Sequence, residues 1–130
     1  MSRDHRKLRV FTLADELALR VYHLTRSFPA DERFGLRAQV RRAAVSVAAN
    51  IVEGCARSST REYGSFVNIA FGSAAETQYL LQLSFRLKFV SEADFNAADA
   101  AYHELLGGLQ KLLQAVSHMP QTREPTTREP

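Results

Sequence analysis

The sequence has little of the chemistry that marks a secreted, metal-binding or membrane-spanning protein. Its 130 residues include one cysteine, Cys55, and no tryptophan, which excludes an internal disulfide and a multi-cysteine zinc site. The longest stretch without a charged residue runs from Tyr63 to Ala75, well short of the roughly 18 apolar residues of a transmembrane helix. Charges at Arg9 and Asp15 interrupt any signal-type apolar segment near the N-terminus. We therefore expect a soluble, cytoplasmic protein with no membrane partner.

The composition that is present fits one small globular domain. Hydrophobic residues make up 45% of the chain and charged residues 24%, and a chain of this length can bury a core without disulfides or metals. We assign residues 1–118 to this domain. The remainder, residues 119–130, has no apolar residue from Pro120 onward and contains Thr-Arg-Glu-Pro twice. We predict that this proline-containing tail is disordered.

Apolar periodicity and capping residues divide the domain into four helices. Thr12 is a candidate N-cap for the first helix. Ser59 and Glu62 form a capping box before the third helix, Ser91 repeats the pattern before the fourth, and Gly54 is a candidate C-cap for the second. Short connections favour antiparallel neighbours, so the sequence predicts an all-α, antiparallel up-down-up-down four-helix bundle. The predicted helices lie at about residues 13–27, 32–54, 60–88 and 92–118.

The net charge of +3 conceals an uneven distribution of charge. Residues 1–64 carry 12 Lys/Arg and 7 Asp/Glu, giving +5, whereas residues 65–130 carry 5 and 7, giving −2. The basic excess includes six arginines on the second predicted helix, at its entry and at its exit: Arg33, Arg37, Arg41, Arg42, Arg57 and Arg61.

Two interpretations of these arginines are open. They form a solvated face paired with nearby carboxylates, which is the usual role of a charged helix face. Alternatively, they form a patch for the phosphate backbone of RNA or DNA, to which the planar guanidinium is suited. Phe34 is the only aromatic residue among them, which favours contact with the backbone over stacking on bases.

Polar residues interrupt the apolar pattern of the second and third helices. Ser46, Asn50 and Glu53 share one face of the second helix, and Glu76 lies within the third. We interpret these four residues as a partly buried polar network that fixes helix register. An active site is the alternative, but buried polar groups are more often paired for packing.

The third helix also carries a second apolar stripe beside its core stripe, formed by Val67, Phe71, Phe85 and Phe89. This stripe could cover a neighbouring helix, cap an end of the core, or form a subunit interface. Exposed apolar patches mark association sites, and we favour homo-oligomerisation.

Recognisable catalytic and metal-binding sets are missing. None of the helical glutamates is followed by histidine three residues later, and no two histidines are four apart, so no di-metal or zinc pattern is present. Cys55 has no identifiable histidine partner, and no glycine-rich phosphate loop occurs. We therefore predict no catalytic residue, no metal, no cofactor, no small-molecule substrate and no enzyme activity.

Several separate motifs are similar to those of a known family. They are the segments at residues 39–54, 57–63 and 69–78, together with Leu8–Phe11 and the join at residues 28–36. Over about residues 8–117, the chain resembles the four-helix-bundle proteins encoded in intervening sequences of bacterial 23S ribosomal RNA genes. It departs from the family in having Ala48-Ala49 where Pro-Ser is frequent, and Phe11 where tryptophan is frequent.

The resemblance implies a four-helix bundle that commonly assembles as a homopentamer, and most members have no established activity. A related branch is the accessory variability protein of diversity-generating retroelements, for which the resemblance implies a basic surface that contacts nucleic acid and a reverse transcriptase. Together with the arginines, it predicts a non-enzymatic oligomeric bundle that binds RNA or DNA. The alternative is a protein-interaction scaffold or accessory subunit, for example of a reverse transcriptase, with no direct nucleic-acid role.

Overall fold

The computed structural model describes residues 3–121, and within that range the chain is helical and contains no strand. This confirms the predicted all-α fold with four long helices. Residues 122–130, most of the predicted tail, lie outside the described range. Short 3₁₀ turns occupy His5–Lys7, Thr25–Ser27 and Ala30–Glu32. The long helices are α1 (Arg9–Leu24), α2 (Leu36–Cys55), α3 (Thr60–Arg86) and α4 (Glu92–Ser117).

The four helices enclose a single core. Each helix packs against the next along the chain, and α1 also packs against α4, which closes the bundle. In α2 the apolar side chains spaced by three and four residues, Val40, Ala44, Val47 and Ile51, are fully buried. Tyr102 and Leu109 of α4 are buried in the same way. Spacings of three and four residues therefore identified the inner faces of these two helices correctly.

The first helix begins earlier than predicted. It starts at Arg9 with Leu8 in the N-cap position, and no side chain caps it. Thr12 is therefore not the N-cap; its hydroxyl donates instead to the carbonyl oxygen of Leu8 over 3.5 Å. The preceding turn at His5–Lys7 is capped by the Asp4 carboxylate, which accepts from the backbone N–H of Arg6.

The second helix begins later than predicted, at Leu36. Its first amide donates to Oε1 of Glu32 over 2.9 Å, so Glu32 acts as a cap from outside the helix. The helix runs through Gly54 to Cys55, and Gly54 is therefore not the C-cap. A Cβ at Gly54 would lie 3.0 Å from Cβ of Phe66, so this glycine allows α2 and α3 to approach closely.

The predicted caps of the last two helices are confirmed. Ser59 Oγ accepts from the amide of Glu62, and Ser91 Oγ accepts from the amide of Asp94, each over 3.2 Å.

The third helix ends at Arg86 in a Schellman motif. Lys88 has φ 68°, and the next amide donates to the carbonyl of Ser84 over 2.9 Å. Lysine thus occupies a left-handed position that usually holds glycine.

Candidate nucleic-acid interface

An open cleft lies where the end of α1 meets the turn before α2 and the first turns of α2. Its volume is about 760 Å³, within the range of small-ligand pockets. Four of the six predicted arginines line it and no acidic residue does, so its field favours an anionic partner. The lining residues are Tyr22, Arg33, Phe34, Arg37, Ala38, Arg41, Arg42, Val45 and Ser46.

Arg41 is fixed into the wall of the cleft by contacts with α1. Its Nε donates to Thr25 Oγ1 over 2.7 Å, and its Nη2 donates to the carbonyl of Tyr22 over 3.1 Å. The guanidinium also lies 4.4 Å from the centre of the Tyr22 ring, within cation–π range. A cation is favourable at a helix C-terminus, where the last carbonyls lack partners. Arg41 therefore stabilises the end of α1 and holds Tyr22 beside the cleft.

The other three cleft arginines have no anionic partner within the described part of the chain. Among residues 3–121, none of Arg33, Arg37 and Arg42 forms an ion pair. Two carboxylates that a solvated-face interpretation would assign to them are committed elsewhere. Glu32 accepts from the amide of Leu36, and Glu53 pairs with an arginine beyond the end of α2. These three guanidinium groups keep their donors available to a ligand.

Phe34 is 88% exposed on a hydrogen-bonded turn that projects into solvent. The amide of Gly35 donates to the carbonyl of Glu32, and the amide of Gln39 donates to the carbonyl of Gly35. A Cβ at Gly35 would lie 2.9 Å from Oε1 of Glu32, the atom that caps α2. The turn is thus fixed by its own backbone and cap, and the Phe34 ring does not pack into the core.

Arg57 and Arg61 lie at the far end of α2 and do not reach the cleft. A helix rises about 1.5 Å per residue, which places Arg37 and Cys55 about 27 Å apart along the axis. Arg57 Nη2 pairs with Glu53 Oε2 over 2.6 Å. Arg61 lines a separate groove between α3 and α4. The six predicted arginines therefore do not line one cleft, because the length of α2 separates its two ends.

The predicted polar network forms only in part. Asn50 Nδ2 donates to the carbonyl and to Oγ of Ser46, over 2.8 and 2.9 Å, and Ser46 Oγ lies 2.9 Å from Oγ of Ser73 on α3. The carboxylates of Glu53 and Glu76 are exposed, so their assignment to a buried network is wrong. Ser73 was not included in the predicted network, because its spacing from Ala70 and Thr77 places it on the core stripe of α3.

The predicted interface stripe is largely used inside the bundle, and its last member, Phe89, lies beyond the end of α3. Val67 is fully buried and Phe71 packs against the core. The Phe85 ring stacks on Phe95 of α4 at 4.7 Å, and the Phe89 ring packs at 5.4 Å against a phenylalanine of the α1–α2 connection. Val67 therefore cannot belong to a subunit interface. Residue spacing on the third helix identified these apolar side chains as one stripe, but it does not show which part of the protein covers them.

Two tyrosine phenols are shielded from water inside the bundle. Burial raises the pKa of Tyr63 to about 12 and also raises that of Tyr102, so both phenols stay protonated at neutral pH. Across residues 3–121, no three His, Cys, Asp or Glu side chains are grouped as metal ligands. In the same range, no helix combines the length and the apolar character needed to cross a bilayer.

The fold and the cleft together define a small all-α bundle with a basic, aromatic-bearing cleft at one end. The family model of the 23S rRNA-intervening sequence proteins matches residues 6–111. The chain therefore belongs to that family, as the sequence motifs predicted.

A solved structure shows the same fold. A protein of unknown function from the S23 ribosomal protein family of Bacteroides thetaiotaomicron superimposes with a TM-score of 0.74. It is 24% identical, and the match covers 81% of this chain and 95% of that chain. No curated protein matches this chain significantly. The relative supports the bundle and carries no assignment of activity.

Proposed function

We propose that this protein is a non-enzymatic helical bundle that binds RNA or DNA through the cleft at the start of α2. One observation carries the proposal: Arg33, Arg37 and Arg42 surround a single cleft that no acidic residue lines. A lone unpaired arginine on a surface is ordinary. Several around one concave site create a positive potential that attracts a polyanion and raises its rate of association.

Phosphate is the ligand group that suits this arrangement best. Guanidinium groups offer forked donors that match phosphate oxygens, and contacts of this kind fix a protein on nucleic acid without reading its sequence. The name of the family refers to 23S rRNA, which makes structured RNA the first ligand to test.

The test compares the affinity for a hairpin RNA at two salt concentrations. Three phosphate contacts should lower the affinity about 20- to 40-fold between about 50 and about 200 mM salt, because counterions are released on binding. The double variant Arg37→Glu/Arg42→Glu should bind much more weakly. Arg86→Glu/Lys111→Glu makes the same charge change at positions that do not line the cleft, and it should bind nearly as the wild type does. Binding that is insensitive to salt, or that survives the first double variant, refutes the proposal.

A second candidate function is supported by the apolar part of the same surface. The exposed ring of Phe34 lines the same cleft as Val45, which is 42% exposed, and exposed apolar patches mark protein contacts. On this proposal the chain is a scaffold or an accessory subunit, for example of a reverse transcriptase, without a nucleic-acid role of its own. A pull-down that recovers nucleic acid but no protein partner counts against it.

Self-association is proposed separately, with a homopentamer favoured by the family resemblance. The predicted interface stripe is largely used inside the bundle, so other surfaces must support self-association. Candidates are exposed apolar side chains that do not line the cleft, including Leu19, Ile69 and Tyr79. Light scattering at micromolar concentration tests it. A mass near that of the 14.6 kDa monomer would refute the proposal.

A further inference from the structure

Two aromatic rings from different elements border the basic cleft. Phe34 comes from the turn before α2, and its ring is almost entirely in solvent. Tyr22 comes from the last turn of α1, is 44% exposed, and has the Arg41 guanidinium over its ring. Only the packing of α1 against α2 brings Tyr22 to the arginines, so the aromatic content of the cleft is higher than the sequence of α2 suggests.

The position of Phe34 suits contact with a ligand better than a role in stabilising the fold. Burying a phenylalanine side chain stabilises a fold through the hydrophobic effect, and this ring forgoes nearly all of that stabilisation because it is 88% exposed. Its turn is held by hydrogen bonds around Glu32 and Gly35, so the ring is presented by an ordered backbone. The Arg33 guanidinium lies over one face of the ring, 5.5 Å from its centre, and the side chain is otherwise open to solvent.

We propose that the cleft binds unpaired nucleotides, with Phe34 stacking on a base and Arg33, Arg37 and Arg42 contacting the neighbouring phosphates. The inference rests on the proposed function and specifies its ligand. An unpaired nucleotide combines a flat aromatic base with an anionic phosphate, which matches a cleft that combines exposed rings with unpaired guanidinium groups. In a duplex, the faces of internal bases are covered by their neighbours, so a laterally presented ring cannot stack on them.

Arg41 is held against α1 and is not one of the proposed ligand contacts. Its hydrogen bonds to Thr25 and to the Tyr22 carbonyl orient it along α1, and its guanidinium covers part of the Tyr22 ring. The proposed ligand contacts therefore lie on Phe34 and the three unpaired arginines, while Arg41 and Tyr22 form the wall behind them.

The experiment measures the affinity for a short unstructured RNA strand, for the same strand annealed to its complement, and for the DNA strand of the same sequence. Fluorescence anisotropy at constant salt gives each dissociation constant. Phe34→Ala should weaken binding of the single strands by about 5- to 150-fold, the range that base stacking on an aromatic residue provides. Phe34→Tyr should retain affinity, and Phe34→Leu, which keeps apolar bulk without a π face, should lose it. Leu87→Ala removes an exposed apolar side chain that does not line the cleft and should not change the affinity.

The variants separate this inference from the proposed function. Salt-dependent binding that is equal for strand and duplex and indifferent to Phe34 overturns the inference and leaves phosphate binding intact. Wild-type protein that binds neither strand nor duplex overturns both. Full binding by Phe34→Leu, or a fall in oligomeric mass with Phe34→Ala, overturns the inference by showing that the ring packs against protein. Equal loss for RNA and DNA strands supports stacking without recognition of the 2′-hydroxyl.

Discussion

Gly107 and Gly108 are adjacent in α4, yet alanine at the two positions should have opposite effects on stability. A Cβ at Gly108 would lie 2.9 Å from Cγ1 of Val10 on α1, whereas a Cβ at Gly107 would meet nothing within 4 Å. Val10 is buried, and its β-branched side chain has little rotameric freedom. The close approach of α1 and α4 therefore depends on one glycine and not on its neighbour.

The magnitude follows from two opposing effects. Replacing glycine by alanine inside a helix stabilises it by about 1 kcal/mol, and Gly107→Ala should gain this in full. Gly108→Ala gains the same amount but must displace Val10, and overpacking of this kind costs about 1–3 kcal/mol. The free energy of unfolding of Gly108→Ala should therefore lie between that of the wild type and about 2 kcal/mol below it.

Urea unfolding followed by helical circular dichroism measures both variants, at one protein concentration because self-association would shift the midpoint. Since the two glycines are adjacent in one helix, the difference in free energy of unfolding between the two alanine variants reports packing and not helix propensity. The double variant Val10→Ala/Gly108→Ala, compared with its two single variants, completes a double-mutant cycle. With the Val10 methyl groups removed, Gly108→Ala should become stabilising. Equal stabilisation by Gly107→Ala and Gly108→Ala in the wild-type background would refute the close contact.

Three further substitutions test other parts of the structure. Burial raises the pKa of Tyr63 to about 12. The stability of the fold should therefore fall as the pH rises from about 10, where the unfolded tyrosine ionises, to about 12. In urea unfolding, Tyr63→Phe should lose less stability over this range. Lys88→Gly relieves a left-handed backbone conformation with φ 68° and should raise the thermal midpoint, with a gain of about 0.5–1 kcal/mol. Arg41→Met removes the hydrogen bond to Thr25 and should cost about 1–2 kcal/mol in urea unfolding.

The sequence predicted the helices most accurately where packing alone determines them. The seams of α2 and α4 follow regular apolar spacing, and the serine caps of α3 and α4 satisfy backbone amides as expected. The start of α1 was wrong because threonine is a favoured cap in general, whereas here Thr12 donates to Leu8 inside the first turn. Local propensity does not reveal that the preceding residues form their own capped turn.

The candidate site was predicted only along the helix that carries most of it. Arg37 and Arg41 are four residues apart on α2, which makes them neighbours on one helix face, and the turn before α2 brings Arg33 to the same cleft. The role of Arg41 was not predictable, because its partners come from α1 and only tertiary packing brings them together. Tyr22 was missed for the same reason. The separation of Arg57 from this group follows from helix length alone, and the sequence contains that information.

The clustered arginines of the cleft connect the stability of the bundle to the binding of its proposed ligand. Neither the net charge of the chain nor the apolar pattern of its helices indicates this connection. Like charges held close together repel one another and weaken a folded state unless an anion screens them. Arg41 helps to offset this cost because it satisfies the end of α1, but Arg33, Arg37 and Arg42 have no such structural role among the described residues. Arg61 is likewise without an ion pair there, yet it is the only basic residue in its groove. Clustering, rather than lack of pairing by itself, therefore distinguishes the cleft as the place where an anion would stabilise this fold.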